Sequence, residues 1–301
     1  MDKELFTAQL KERLEERTSC EIRVQQTTKN NGIKLTALTI MQEGVNVTPS
    51  IYVEPWYELY NESEQFEDII DKILELEEKY KIHKNIDFSS FLDFEKAKNG
   101  LRYKIINTEK NIEILNSIPH KDFLDLSKVY LVEVNVPEIG IGTILVSNDH
   151  MKAWGVTWEE LDRYAAEMTE QHNPYCIFNM EKFAKNIVAE LAKTEEDIPH
   201  FRMPPMEMYV LTNRENYLGA GVLLYKNVLK NFAKEKEDNI YILPSSTHEI
   251  ILIPARIVWY TSINHLKEMV KEVNSTQVKT EEFLSDNVYF YDREADKIKI
   301  V

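Results

Sequence analysis

The sequence predicts an α+β protein with largely antiparallel sheets and flanking amphipathic helices. Three observations predict it. Apolar residues recur at helical spacing, most clearly over 63–80, with Phe66, Ile69, Ile70, Ile73, Leu74 and Leu76. Short β-branched runs are joined by turn signals, of which Asn30-Asn31-Gly32 is the clearest. Helices and strands intermix without strict βαβ alternation.

The first helix carries a stripe of Leu5, Leu10 and Leu14 and ends near Thr18. Strands are expected over 20–26 and 33–41, because Asn and Gly tolerate the positive φ of the turn between them. The run 47–53 is extended and broken by Pro49. After the 63–80 helix come a short helix over 88–97, strands over 101–106 and 129–136, and a helix near 111–117. A strand over 142–146 leads into a helix over 149–154. Thr157 and Glu160 form a capping box that opens the helix 159–170. Another amphipathic helix is expected over 183–191.

Pro199, Pro204 and Pro205 mark the strongest internal boundary. Strands over 208–211 and 221–225, a helix over 227–236, the hairpin 239–254 and a helix over 262–273 follow. A short helix at 281–284 and a closing hairpin of 288–291 with 298–301 complete the set. The organisation reads as regions 1–98, 99–198 and 199–301, the last two also readable as one continuous domain from 99 to 301. Gly142 and Gly221 each open a four-residue apolar run followed by Asn148 or Asn227 and a helix, which suggests a duplicated strand–turn–helix module.

The bulk numbers exclude several function classes. A formal net charge of −15 repels phosphates, so direct nucleic-acid binding is not expected. The N-terminal stretch is a charged amphipathic helix with no apolar signal core, and no run of about 18 apolar residues exists, so a cytoplasmic setting without membrane association is expected. The two cysteines, Cys20 and Cys176, match no metal spacing and fit a reducing compartment. No metal and no cofactor is expected. The Gly-x-Gly pairs Gly140/Gly142 and Gly219/Gly221 precede their apolar runs, the reverse of a dinucleotide-binding turn.

The densest polar cluster is Pro244-Ser245-Ser246-Thr247-His248-Glu249, set between two apolar runs. Ser245 or Ser246 with His248 has the residue types of a nucleophile and its base. On a strand Ser246 and His248 share a face while Glu249 points the other way, so Glu249 cannot orient the histidine. A turn explains the same residues, since proline suits its second position and serines cap free backbone groups. His248-Glu249 opens an H-E-x-x-H pattern that Leu252 breaks. Asn213 and Arg214 follow a strand, and Arg214 has the fork that clamps a carboxylate or phosphate. Trp56 and Tyr57, with Tyr60, form an aromatic cluster that suits core packing or a partner patch.

Several stretches together carry a resemblance: NNGIKLTALTI, EGVNVTPSIYVEPWYE, IPHKDFLDLSKVYLV, MYVLTNRENYLGAGVLLY, YILPSSTHEIILIP and VKEVNSTQVKTEEFLSDNVYFYDRE. They resemble an uncharacterised family of about this length from anaerobic gut Firmicutes, often near mobile elements. The resemblance implies a bacterial cytoplasmic setting and carries no activity, catalytic residue or cofactor.

The function expected is that of a non-enzymatic soluble protein binding another macromolecule, a protein rather than nucleic acid, in a regulatory or accessory role. One alternative is a hydrolase using Ser245 or Ser246 with His248. A second is an acidic decoy that occupies a nucleic-acid-binding protein.

Overall fold

The first helix, α1 (Lys3–Thr18), begins where Asp2 accepts a hydrogen bond from Leu5 N at 2.8 Å and ends at Ser19, whose φ is 56°. A computed structural model describes residues 1–62, 65–136, 140–181, 207–259 and 262–301 of the chain. The helix expected over 183–191 and the proline-rich boundary at 199–205 lie outside the described residues.

The chain forms two units, 1–94 with 133–144 and 95–132 with 145–301. In the first, α1 buries Phe6, Leu10 and Leu14, spaced four residues apart. The expected stripe began at Leu5, but Leu5 is 49% exposed and Phe6 takes its place. The turn Asn30–Gly32 joins β1 (Ile22–Thr28) to β2 (Lys34–Ile40), with Asn31 at φ 61° and Gly32 at 70°. Positive φ at both matches the turn to the twist of the strands. β3 (Ser50–Tyr52) adds to the far side of β2.

A helix not foreseen in the sequence, α2 (Val53–Asn61), carries Pro55 in its first turn, where a missing N–H costs no helical hydrogen bond. α3 (Phe66–Lys79) buries Ile69, Ile70 and Ile73 on the same core as Phe6, Leu10, Leu14, Leu38 and Ile40. Phe6 packs edge-on against Phe66 at 5.6 Å between ring centres. The helix expected over 88–97 is two single turns, α4 (Ser89–Leu92) and α5 (Phe94–Ala97).

In the second unit, β4 (Leu101–Asn107), β6 (Leu126–Val136) and β5 (His120–Phe123) pair antiparallel with β6 in the middle. α6 (Ile112–Leu115) is one turn between β4 and β5. β7 (Gly140–Leu145) pairs with β6. α7 (Asn148–Trp154) and α8 (Trp158–His172) both open on capping boxes, at Ser147 and Thr157. For α8, Glu160 N donates to Thr157 Oγ1 at 3.2 Å and Thr157 N to Glu160 Oε2 at 2.9 Å.

A six-stranded antiparallel sheet dominates this unit. Its order is β13–β12–β10–β11–β9–β8, from Lys297–Ile300, Tyr289–Asp292, Ile240–Leu243, Ile250–Pro254, Tyr209–Asn213 and Tyr175–Asn179. α9 (Val228–Lys236) and α10 (Ile263–Thr276) complete it. The α+β class with antiparallel sheets is thus the fold of the chain.

Elements of this unit also differ from expectation: β5 and β8 had no counterpart in the sequence reading, and two expected elements took another form. Gly219–Leu224 is a 3-10 helix, where a strand over 221–225 was expected, so the two glycine-led segments are not copies of one local structure. Residues 281–284 form a turn and an extended segment, where a helix was expected, because their backbone pairs with 244–247.

Phe6→Ala removes a fully buried ring and is expected to lower stability by about 3–5 kcal/mol, whereas exposed Leu5→Ala changes it by less than about 0.5 kcal/mol. Urea unfolding of the two variants checks which face of α1 is inside.

Candidate functional site

β10 and β11 pair in the register Ile240↔Pro254 to Leu243↔Ile251, which leaves the polar cluster as the loop of the hairpin. The loop is buried rather than solvent-facing: Ser245 is 8%, Ser246 4% and Thr247 5% exposed. Its backbone groups must therefore find partners within the protein, and they do so on two sides. Ser285 N donates to Pro244 O and Leu284 N to Ser245 O, both at 3.0 Å, and Thr247 N donates to Glu282 O at 2.8 Å. On the other side Ala220 N donates to Thr247 O at 3.1 Å, and Thr212 Oγ1 donates to His248 O at 2.8 Å. The segment 244–248 is a strap clamped between 282–285 and 219–220.

Gly219 makes the second contact sterically feasible. A Cβ there would lie 2.1 Å from Thr212 Oγ1, 2.5 Å from His248 O and 2.8 Å from Asn213 N. Two of those atoms are backbone, so no side chain larger than hydrogen fits without moving the main chain.

Within the strap, Ser246 Oγ accepts from His248 N at 3.1 Å. The His248 ring is directed elsewhere. Its Nδ1 accepts from Leu218 N at 3.2 Å, and its Nε2 lies 3.7 Å from Glu282 Oε1. An acceptor at Nδ1 places the proton of the neutral ring on Nε2. The carboxylate beside the histidine is therefore Glu282, a partner remote in sequence, and not Glu249. Ser245, Ser246 and His248 are neighbours, but the hydrogen bonds that engage them are to backbone groups.

Asn213 and Arg214 open the adjoining loop, and tertiary structure gives them different tasks. Asn213 is 3% exposed and brackets the loop: its Nδ2 donates to Tyr217 O at 2.8 Å and its Oδ1 accepts from Tyr217 N at 3.3 Å. Arg214 is exposed, with its backbone N–H bound to Pro174 O at 3.1 Å. Asn216 and Leu218 take φ of 51° and 52°, a region that costs a non-glycine residue about 1–3 kcal/mol and persists only where the surroundings impose it. Tyr217, between them, is 58% exposed, with its ring centre 5.5 Å from that of His248. Sequence reasoning passed over Tyr217, Leu218 and Glu282. The dense Asn/Arg/Glu/Asn run at 213–216 was the available signal for the loop.

Trp56 and Tyr57 lie in the first unit and are half-buried on its core. Tyr57 packs 5.4 Å from Phe6 and donates its hydroxyl to Met1 O at 3.0 Å. Cys20 and His83 line, with Lys81, a cavity of about 620 Å³ in the same unit. Among the described residues, no group of three or more His, Cys, Asp or Glu is placed to hold a metal ion. None of the described helices is long and apolar enough to cross a membrane.

A second polar cluster was not legible in the sequence. Lys128 on β6 pairs with Asp162 on α8, and Tyr130 donates to the same carboxylate oxygen at 2.8 Å. Lys121 lies 3.6 Å from the other oxygen. The Lys128 ammonium sits 4.2 Å from the centre of the Tyr103 ring. Burial pushes Lys128 down from the ordinary lysine range, against the pull of Asp162. Partial burial would raise Asp162, but the bonds from Lys128 and Tyr130 outweigh it and hold the carboxyl below its usual range. Burial, then the bond to Asp162, pushes the Tyr130 phenol up.

Fold and site together define an α+β protein whose buried polar strap holds an exposed aromatic loop in place. A family model described as a family of unknown function, DUF5688, matches residues 3–293, and the chain belongs to that family. No curated protein and no solved structure matches the chain.

Gly219→Ala forces backbone apart and is expected to cost about 1–3 kcal/mol, measured by urea unfolding. Asp162→Asn leaves the Lys128 charge without its counter-ion. Because Asp162 is 19% exposed, the expected loss is about 2–3 kcal/mol, below the 3–5 of a fully buried pair. The native Asp162 contribution is present above the unfolded carboxyl value of about 3.9 and is lost as pH falls through its lower folded value. Unfolding midpoints of wild type and Asp162→Asn are therefore expected to converge only below about pH 4.

Proposed function

We propose that this chain is a non-enzymatic protein that binds another protein in a regulatory or accessory role, and that the 213–218 loop is its contact surface. The observation that supports this reading is the loop itself. Two non-glycine residues with positive φ flank Tyr217, Asn213 bonds the N–H and C=O of Tyr217, and His248 accepts from Leu218 N. A loop fixed in this way presents Tyr217 and Arg214 to solvent with little conformational freedom left to lose on binding. Tyrosine and arginine are the residue types that anchor protein interfaces, and strained backbone is kept where function uses it.

The charge of −15 fits a protein partner better than a nucleic acid. The setting proposed is the cytoplasm of anaerobic gut Firmicutes, near mobile elements, in line with the stretches that carry the family resemblance.

The hydrolase alternative draws less support from the same geometry. Ser246 Oγ is occupied by a backbone N–H, and both nitrogens of His248 are turned toward Leu218 and Glu282. A general base has to reach the proton it removes.

The test compares wild type with a Tyr217→Ala, Arg214→Ala double variant by cross-linked affinity capture from host lysate. The expected result is a captured protein whose dissociation constant weakens by at least about tenfold in the variant, with the thermal midpoint unchanged. Capture that is identical in both, or a strictly monomeric wild type that captures nothing, would overturn the reading. A serine-reactive fluorophosphonate is expected to label neither Ser245 nor Ser246. Labelling that His248→Ala abolishes would put the hydrolase in its place.

A further inference from the structure

The tether between His248 and Leu218 works in only one protonation state of the ring. We infer that His248 is a proton-operated latch on the 213–218 loop, holding it in the displayed conformation when neutral and releasing it when charged. This deepens the reading of the loop as a binding surface by assigning its regulation.

A neutral imidazole with its proton on Nε2 offers the Nδ1 lone pair to Leu218 N–H at 3.2 Å. A charged imidazolium has a proton on each nitrogen and no acceptor. Nδ1–H would then face Leu218 N–H donor to donor, and the bond is lost. Two charged groups lie near the ring. Glu282 lies 3.7 Å from Nε2 and attracts the imidazolium. Lys279, 3.7 Å from the same Glu282 oxygen, tempers that attraction and is itself largely exposed. From the loop side, Tyr217 tilts at 38° to the imidazole. Its ring is more than half exposed, so its pull on a charged ring is screened by water.

Loss of the tether acts on a residue that needs it. Leu218 at φ 52° is in a conformation disfavoured for a side chain of its size. With its N–H freed, it is expected to relax toward negative φ, working against the two bonds that tie the Tyr217 main chain to Asn213. The motion is confined at both ends. On one side Asn213 holds the Tyr217 main chain by its N–H and C=O. At the other end Gly219 is packed against Thr212, Asn213 and the His248 carbonyl, and Ala220 N is bound to Thr247 O. The His248 backbone stays in place because Thr212 Oγ1 holds its carbonyl, whatever the ring does.

Amide exchange at Leu218, expressed as a protection factor against its intrinsic rate at each pH, tests the latch on the whole chain. Protection is expected to fall at least about tenfold as falling pH charges the His248 ring, with the charge followed on the ring's own Cε1 NMR signal. His248→Gln keeps an acceptor for the Leu218 N–H and cannot titrate, so its protection is expected to stay level. A level wild-type profile, or the same fall in His248→Gln, would overturn the inference. Should His248→Gln misfold, wild-type NMR serves instead: the His248 Cε1 and Leu218 amide signals must titrate with one midpoint, and separate midpoints overturn the latch. These measurements read loop order alone. Failure to capture a partner at pH 7.5 would therefore sink the binding role and leave the latch standing, and the converse also holds.

Discussion

The backbone pairing of the strap 244–248 is the constraint on which the rest of the second unit's site depends. A buried turn carries N–H and C=O groups that water cannot reach, and each left alone would cost as much as a lost hydrogen bond. Here 282–285 satisfies one side and 219–220 with Thr212 the other. That requirement determines where three remote segments lie. It demands glycine at 219, where main chains approach too closely for a Cβ. It also places Glu282 and Leu218 on opposite nitrogens of His248. The serines and threonine of this cluster therefore serve the architecture first, and the chemistry left over belongs to the histidine ring and the loop it touches.

The same economy recurs elsewhere in the unit. Asp125, in the turn between β5 and β6, accepts from Ser285 Oγ at 2.6 Å, from Asn287 Nδ2 at 2.9 Å and from the Tyr289 hydroxyl. It anchors the segment that in turn clamps the strap. Burial and this carboxylate together push the Tyr289 phenol up from its ordinary range, so it stays a neutral donor. Lys128 and Asp162 tie β6 to α8 in like manner. A chain with a large negative formal charge thus uses several of its carboxylates as acceptors for buried donors.

Much of the fold was legible because its signals are local. The Thr157–Glu160 capping box, the Asn30–Gly32 turn and the 3.6-residue periodicity around Ile69, Ile70 and Ile73 each act within a few residues. Local reading failed where a neighbour far along the chain overrides propensity. The apolar run at 221–224 reads as a strand, yet forms a 3-10 helix whose Ala220 N is taken by the strap. Residues 281–284 read as a helix, yet leave a turn for an extended segment at Phe283, which pairs with Ser246. Leu5 and Phe6 are both apolar, and only the packing of Phe66, Tyr57 and Tyr60 selects the aromatic ring for the core.

By itself the sequence determined the α+β class, many helix and strand positions, the absence of a run of about 18 apolar residues and the location of the polar cluster, because these follow from composition, period and turn chemistry. Strand alternation set Glu249 and His248 on opposite faces, but 247–248 is a bend and not a strand, and the carboxylate beside His248 is Glu282. Tertiary structure decided what the cluster does. The partner of His248 on one side is 34 residues later in the chain, and the amide on the other is 30 residues earlier. Hydrogen bonds depend on distances in space, and a pairing between such remote positions leaves no period in the sequence for a reader to find.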